Sequence, residues 1–287
     1  MGPNPSDRCE APSRFDPLPR ILYHADFDLG FCGFGALIGN YEGSLEAVLP
    51  EFRDLRPPML STATVWDIGS SGGWDGTYVL KLATRPQAGS LGVAVKRLTW
   101  RRPGRIRLEA CFTFKPEAAT MEPSATDVRA VGFGLDLQDG DRRPSARRVL
   151  PHLRYLNATG GRLEQRWQFK RVRAPMHQVG PSGLTRSHFH LAPQGWEDVP
   201  DGAQRLCHNE ITTKQNWHYV RIGFDLDRMA FTEFACNDRT FDAAALAPMV
   251  MDAMPNLWCM LNTFMWVETD VDRRAFLYVD SVLLSAD

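Results

Sequence analysis

The feature that most restricts how this chain can fold is a period of two in its apolar residues. In 104–114, Ile106, Leu108, Ala110, Phe112 and Phe114 alternate with Arg105, Arg107, Glu109, Cys111 and Thr113. In 131–137 the odd positions Val131, Phe133, Leu135 and Leu137 are apolar, and the even ones are Gly132, Gly134 and Asp136. Val220, Ile222, Phe224 and Leu226 repeat the pattern. An extended strand sends successive side chains to opposite faces, so each segment reads as a strand with one buried face. The same reasoning predicts strands at 21–28, 60–67, 76–83, 91–97, 147–156, 162–172, 229–236, 257–267 and 275–285. Gly72-Gly73, Pro103-Gly104, Asp139-Gly140 and Asn157–Gly161 punctuate them as turns. About a dozen short strands at this spacing predict an all-β fold, a two-sheet antiparallel sandwich of jelly-roll type. Ile106, Leu108, Phe112, Val131, Phe133, Ile222 and Phe224 are its predicted core.

Residues 1–20, with five prolines, read as an extended or disordered arm, and 21–287 as a single sandwich domain. Helix is confined at most to 43–52 and 241–254. The stretch 174–214 lacks periodicity and reads as one long loop, a kind of segment that often carries function.

The 33 basic and 34 acidic residues leave a net charge of −1, so no global field draws the chain to nucleic acid or to a membrane. No run approaches the ~20 apolar residues of a membrane helix. The six cysteines show no C-x-x-C and no regular spacing, which indicates neither a zinc knuckle nor a disulfide framework. Free thiols, with no apolar leader at the N-terminus, predict a cytoplasmic location.

Several segments together resemble the concanavalin A-like lectin/glucanase superfamily. They are Tyr23–Asp28 as opening strand, Gly76–Leu82 as an inner strand, Trp217–Asp225 as a strand opened by Trp, and Phe276–Val282 as a closing "YVDxV" strand. The resemblance spans roughly 21–285 and implies the jelly-roll fold and, by analogy of fold, recognition of a carbohydrate. The glucanase branch carries an E-x-D-x-x-E strand motif. This chain departs from it: Glu268-Thr269-Asp270-Val271-Asp272 differs in spacing and in its last residue.

Five groups of residues are candidates for chemistry. On a strand, Glu268, Asp270 and Asp272 would share a face at ~6.6 Å per step, within the carboxyl separation that glycosidases use. The competing reading is a charged turn, which Arg273-Arg274 suits. His188 and His190, an H-x-H pair, suit a metal or line a cleft with Trp196. Between Arg142 and Arg173 lie ten Arg or Lys and one acid, Glu164. If Asn157–Gly161 is the turn, Arg154 opposes Glu164 and His152 opposes Arg166. Arg148, His152, Arg154, Arg162, Arg166 and Lys170 then share a face able to hold an anion, or forming a plain solvated exterior. Trp74 and Trp196, in Gly- or Pro-flanked loops, are the candidates for stacking on a sugar ring. Asp26, Asp28 and Asp280, near the first and last strands, could meet around a structural calcium or bond loop amides.

These observations leave three readings open. The first is a glycan-binding module for an anionic or intracellular sugar, using Trp74, Trp196, His188, His190, Arg154 and Arg166. The second is a glycoside hydrolase or polysaccharide lyase with Glu268 and Asp270 as its carboxylates. The third is an assembly domain whose sheet face is an interface.

Overall fold

The computed structural model describes residues 14–36, 55–63, 73–74, 76–117, 124–140, 146–172, 178–179, 185–186, 194–209, 215–254 and 257–287. The first ten strands are β1 (Arg20–Ala25), β2 (Phe34–Gly35), β3 (Leu55–Arg56), β4 (Met59–Ser61), β5 (Val79–Ala83), β6 (Leu91–Thr99), β7 (Arg105–Pro116), β8 (Ala130–Gln138), β9 (Arg147–Leu150) and β10 (His152–Thr159). The second ten are β11 (Arg162–Lys170), β12 (Gln178–Val179), β13 (Thr185–Arg186), β14 (Trp196–Ala203), β15 (His218–Asp225), β16 (Ala230–Cys236), β17 (Arg239–Phe241), β18 (Met249–Asp252), β19 (Met260–Glu268) and β20 (Ala275–Ala286).

Eighteen of them form two large sheets, antiparallel but for the β3–β6 pair, as the alternation predicted, and β12 pairs with β13 in a separate hairpin. One runs β17-β16-β15-β7-β20-β5-β4, with β1 also on β20. The other runs β14-β11-β10-β8-β19-β6-β2, with β9, β18 and β3 attached. The first and last strands are therefore neighbours, Arg20 facing Ala286 and Ala25 facing Val282. Between the sheets the inward positions of both make one core. Phe112 of β7 meets Phe133 of β8 at 4.8 Å between ring centroids, and Trp167 of β11 meets Phe234 of β16 at 5.0 Å. All seven predicted core residues are buried.

Three expectations need correction. No α-helix forms in 241–254: a 3-10 turn, Ala243–Ala245, and strand β18 stand there. The predicted helix at 43–52 lies outside the described residues. Within 174–214, Trp196–Ala203 is not loop but edge strand β14, paired to β11. Its Pro200 and Gly202 conceal it, because proline is tolerated in a sheet only where its missing N–H faces away from a partner, as at an edge. The third correction concerns the basic hairpin. Gly160 and Gly161, both at positive φ (54° and 76°), make a two-residue turn, so Thr159 pairs with Arg162 and Arg154 with Gln168. A bulge at Gln165 (φ 50°) then shifts β11, and Leu163 rather than Arg162 shares the face of Arg166.

Candidate functional site

The outer face of the ten-stranded sheet is where candidate residues converge. Register sets two rows across it. One runs Asp198–Gln168–Arg154–Gly132–Trp266–Val93, through β14, β11, β10, β8, β19 and β6. In the next, Trp196 pairs with Lys170, and His152–Gly134–Phe264–Val95 cross the central strands. The central strand β8 contributes only glycines, Gly132 and Gly134, to these rows. A Cβ at either would overlap Trp266 or His152 respectively, so those rings lie down over bare backbone. Aromatic side chains commonly cover cross-strand glycines in this way. Consequently β8 is buried on both faces, contrary to the one-faced strand that its alternation predicted.

The rings form a chain: His152 lies 5.5 Å from Trp266, and Trp266 5.9 Å from Trp196. Two cations sit against Trp196, the Arg154 guanidinium 4.2 Å and the Lys170 ammonium 4.9 Å from its centroid. Arg154 donates to both Glu268 oxygens at 3.3 and 3.2 Å and to Gln168 Oε1 at 3.0 Å. Glu268 also accepts the Trp266 indole N–H at 2.9 Å and pairs with Arg129 at 3.4 Å. Gln168 and Arg166 donate to Asp198 at 2.8 and 2.9 Å, and Lys170 donates to the Gln194 carbonyl at 3.3 Å.

Burial and charge act in opposite senses here. Desolvation alone would raise the Glu268 carboxyl, but Arg154, the indole N–H and Arg129 together hold it below the usual carboxylate range. Glu268 is therefore an anion at neutral pH. Lys170 is pushed down to about 7, first by burial and then by the neighbouring Arg154 charge, which outweigh Glu268.

The other candidates fall elsewhere. The strand ends at Glu268, so Asp270 and Asp272 stand in the following turn. Asp270 pairs with Arg129 at 3.5 Å and accepts Gly160 N–H, and Asp272 accepts Ala88 N–H. Arg148 is buried in a two-pronged pair with Asp136 at 2.8 and 2.6 Å. Trp74 lies over the eight-stranded sheet, half exposed, 6.1 Å from Trp217 and under the Arg14 guanidinium. Its loop is held by two of the proposed calcium ligands. Asp280 accepts Trp74 N–H at 2.6 Å, and Asp28 accepts the N–H groups of Thr77 and Tyr78 at 2.8 Å. Asp26 is exposed. Among the described residues no three His, Cys, Asp or Glu side chains gather closely enough to hold a metal. His188 and His190 lie outside the described residues.

Trp258 is partly exposed, and Trp266 belongs to a separate cluster with Val93, Val95 and Phe264 on this outer face. Gln168 and Asp198 were missed. The signal that could have found this face is the Gly-x-Gly in β8, since glycine in an otherwise apolar strand marks close approach by another group.

Residues 7–287 match the family described as a domain of unknown function (DUF6772). No curated protein matches. Among solved structures, the chain is similar to the CBM2 module of Lactobacillus casei BL23 phage J-1 evolved Dit (9% identity, 92% of this chain and 94% of that one, TM-score 0.39). Others are lectin I-B4 from Griffonia simplicifolia (10% identity, 86% and 97%, TM-score 0.35) and peanut lectin (7% identity, 79% and 90%, TM-score 0.38). These likenesses are too distant to carry a function across.

Proposed function

This chain belongs to the DUF6772 family, whose description names no activity, and from its own residues we propose that it is a glycan-binding module. The observation that carries the reading is the meeting of Trp196 with Arg154, Lys170, Gln168 and Asp198 across β14, β11 and β10. A sugar needs an aromatic surface for its C–H face and forked polar groups for its hydroxyls, and this constellation offers both on rigid strands. The cations here face carboxylates: Arg154 faces Glu268, and Arg166 faces Asp198 and Glu164. That balance favours a hydroxyl-rich ligand over a strongly acidic one. We place the ligand among intracellular sugars, in keeping with the five free cysteines among the described residues.

The geometry favours binding over hydrolysis. A glycosidase acid must be protonated near neutral pH, whereas Arg154 and Arg129 keep Glu268 ionised, and Asp270 shares Arg129 with it. The test is a glycan screen for binding and turnover on the wild type, Trp196→Ala, Trp74→Ala and Glu268→Gln. Trp196→Ala is expected to weaken binding about 30-fold, roughly 2 kcal/mol, with Trp74→Ala unchanged and no turnover. Turnover that Glu268→Gln abolishes, or binding that Trp196→Ala leaves intact, overturns the reading. If no sugar binds, the proposal fails and the assembly role takes its place.

A further inference from the structure

A second site is built at one end of the sandwich, where the turns of both sheets leave a cleft of about 470 Å³. That volume is in the range of pockets that hold small organic ligands. Its apolar wall consists of Leu137, Leu226, Met229 and Leu261, from β8, the β15–β16 turn and β19. Leu137 and Leu261 are buried. Its rim carries Trp100, Arg101 and Arg102, the turn after β6, together with Arg147, Asp139 and Asp227.

The rim's hydrogen bonds are unevenly shared. Asp139 accepts Arg147 through backbone N–H and Nε, both at 3.1 Å, and Asp227 accepts Gly104 N–H at 3.1 Å. Arg101 and Arg102 are exposed and pair with no acid among the described residues. The Trp100 indole N–H is buried and finds no acceptor among the described residues. A buried donor without an acceptor is rare in native proteins and asks for an explanation. Among the described residues of this rim, three arginines stand with two aspartates beside the apolar wall, and the Arg20 guanidinium lies 5.7 Å from the Trp100 ring centroid.

We propose that this cleft binds an amphipathic monocarboxylate. Its apolar body lies on Leu137, Leu226, Met229 and Leu261, and its carboxylate is received by Arg101 and Arg102, with Trp100 Nε1–H as a further donor. Guanidinium forks match a carboxylate in shape, and each buried methylene adds affinity by leaving water. The site shares no residue with the Trp196 constellation and does not depend on the glycan reading.

The experiment uses octanoate, below its micelle concentration, on 15N-labelled full-length chain. The readout is the Trp100 indole cross-peak, identified by its loss in Trp100→Phe. Octanoate is expected to shift that peak saturably. Acetate, which lacks the chain, and octanol, which lacks the charge, are expected to bind at least tenfold more weakly. Arg101→Gln with Arg102→Gln, both at exposed positions, is expected to weaken octanoate at least tenfold. Trp196→Ala is expected to bind octanoate as the wild type does. An unmoved Trp100 peak, equal binding of acetate and octanoate, or full affinity in the double arginine variant overturns the proposal.

Discussion

The indole of Trp266 occupies the space that a side chain at Gly132, its cross-strand partner, would need. This single overlap sets the height of the aromatic chain on the outer face, since Trp266 in turn carries Trp196 at 5.9 Å. Gly132→Ala is expected to lift the indole and cost about 1–3 kcal/mol, as overpacking does. Gly35→Ala, where an added Cβ meets nothing within 4 Å, is expected to stay within about 0.5 kcal/mol of the wild type. Denaturant titration of both variants measures the contrast.

Arg154 and Glu268 form a buried pair with side-chain exposures of 4% and 12%. Removing one partner leaves the other desolvated and unneutralised, so Arg154→Met or Glu268→Gln alone is expected to lose about 3–5 kcal/mol. Replacing both, by Met and Leu, is expected to cost less than either single change. A double-mutant cycle gives the coupling, and equal additivity of the two changes would contradict it.

Lys170 titrates near 7 in the folded chain against an ordinary 10.5, because burial and Arg154 disfavour its charge. Between those two pH values the unfolded chain holds more protons than the native one. Stability is therefore expected to rise with pH through that window, by up to about 1.4 kcal/mol per unit, and to gain nothing further from this group below pH 7. Lys170→Met removes this contribution, so a wild-type slope that persists in the variant counts against it.

Phe112 is fully buried and bridges the sheets through Phe133. Phe112→Ala is expected to cost about 3–5 kcal/mol in equilibrium unfolding. Circular dichroism of the wild type is expected to show under ~15% helix, against the usual 30–35%.

The thiols are expected to react in a graded order. Cys207 is exposed, whereas burial pushes Cys111 up to about 11 and Cys236 higher still, which denies both the reactive thiolate. An aromatic disulfide reagent should label Cys207 before Cys111 and Cys236 and, after unfolding without reductant, all six cysteines. Fewer than six would reveal a disulfide.

The sandwich was legible because burial of one strand face imprints a period of two, and Phe112, Phe133, Ile222 and Phe224 carry that imprint without help from distant residues. The site was legible only in parts. Trp196, Arg154 and Glu268 were each named for its own chemistry, yet they are 42 and 72 residues apart along the chain in successive steps. Nothing local tells that they meet. Strand β14 escaped because its sequence, WEDVPDGA, has the composition of a loop and is a strand only through its pairing with β11.

By itself the sequence determined what repeats locally: strand periodicity, a turn somewhere within Asn157–Gly161, the inward faces of β7, β8 and β15, and a near-neutral charge. Tertiary structure decided register and the order of strands. Register turns on the bulge at Gln165 and on the two-residue turn, and a shift of one residue sends every side chain to the opposite face. Strand order then brought β14, β11, β10, β8 and β19 side by side. Only that order sets Trp196 over Arg154 and leaves Trp74 on the other sheet, because contacts between strands are made by hydrogen-bonded neighbours and not by neighbours in the chain.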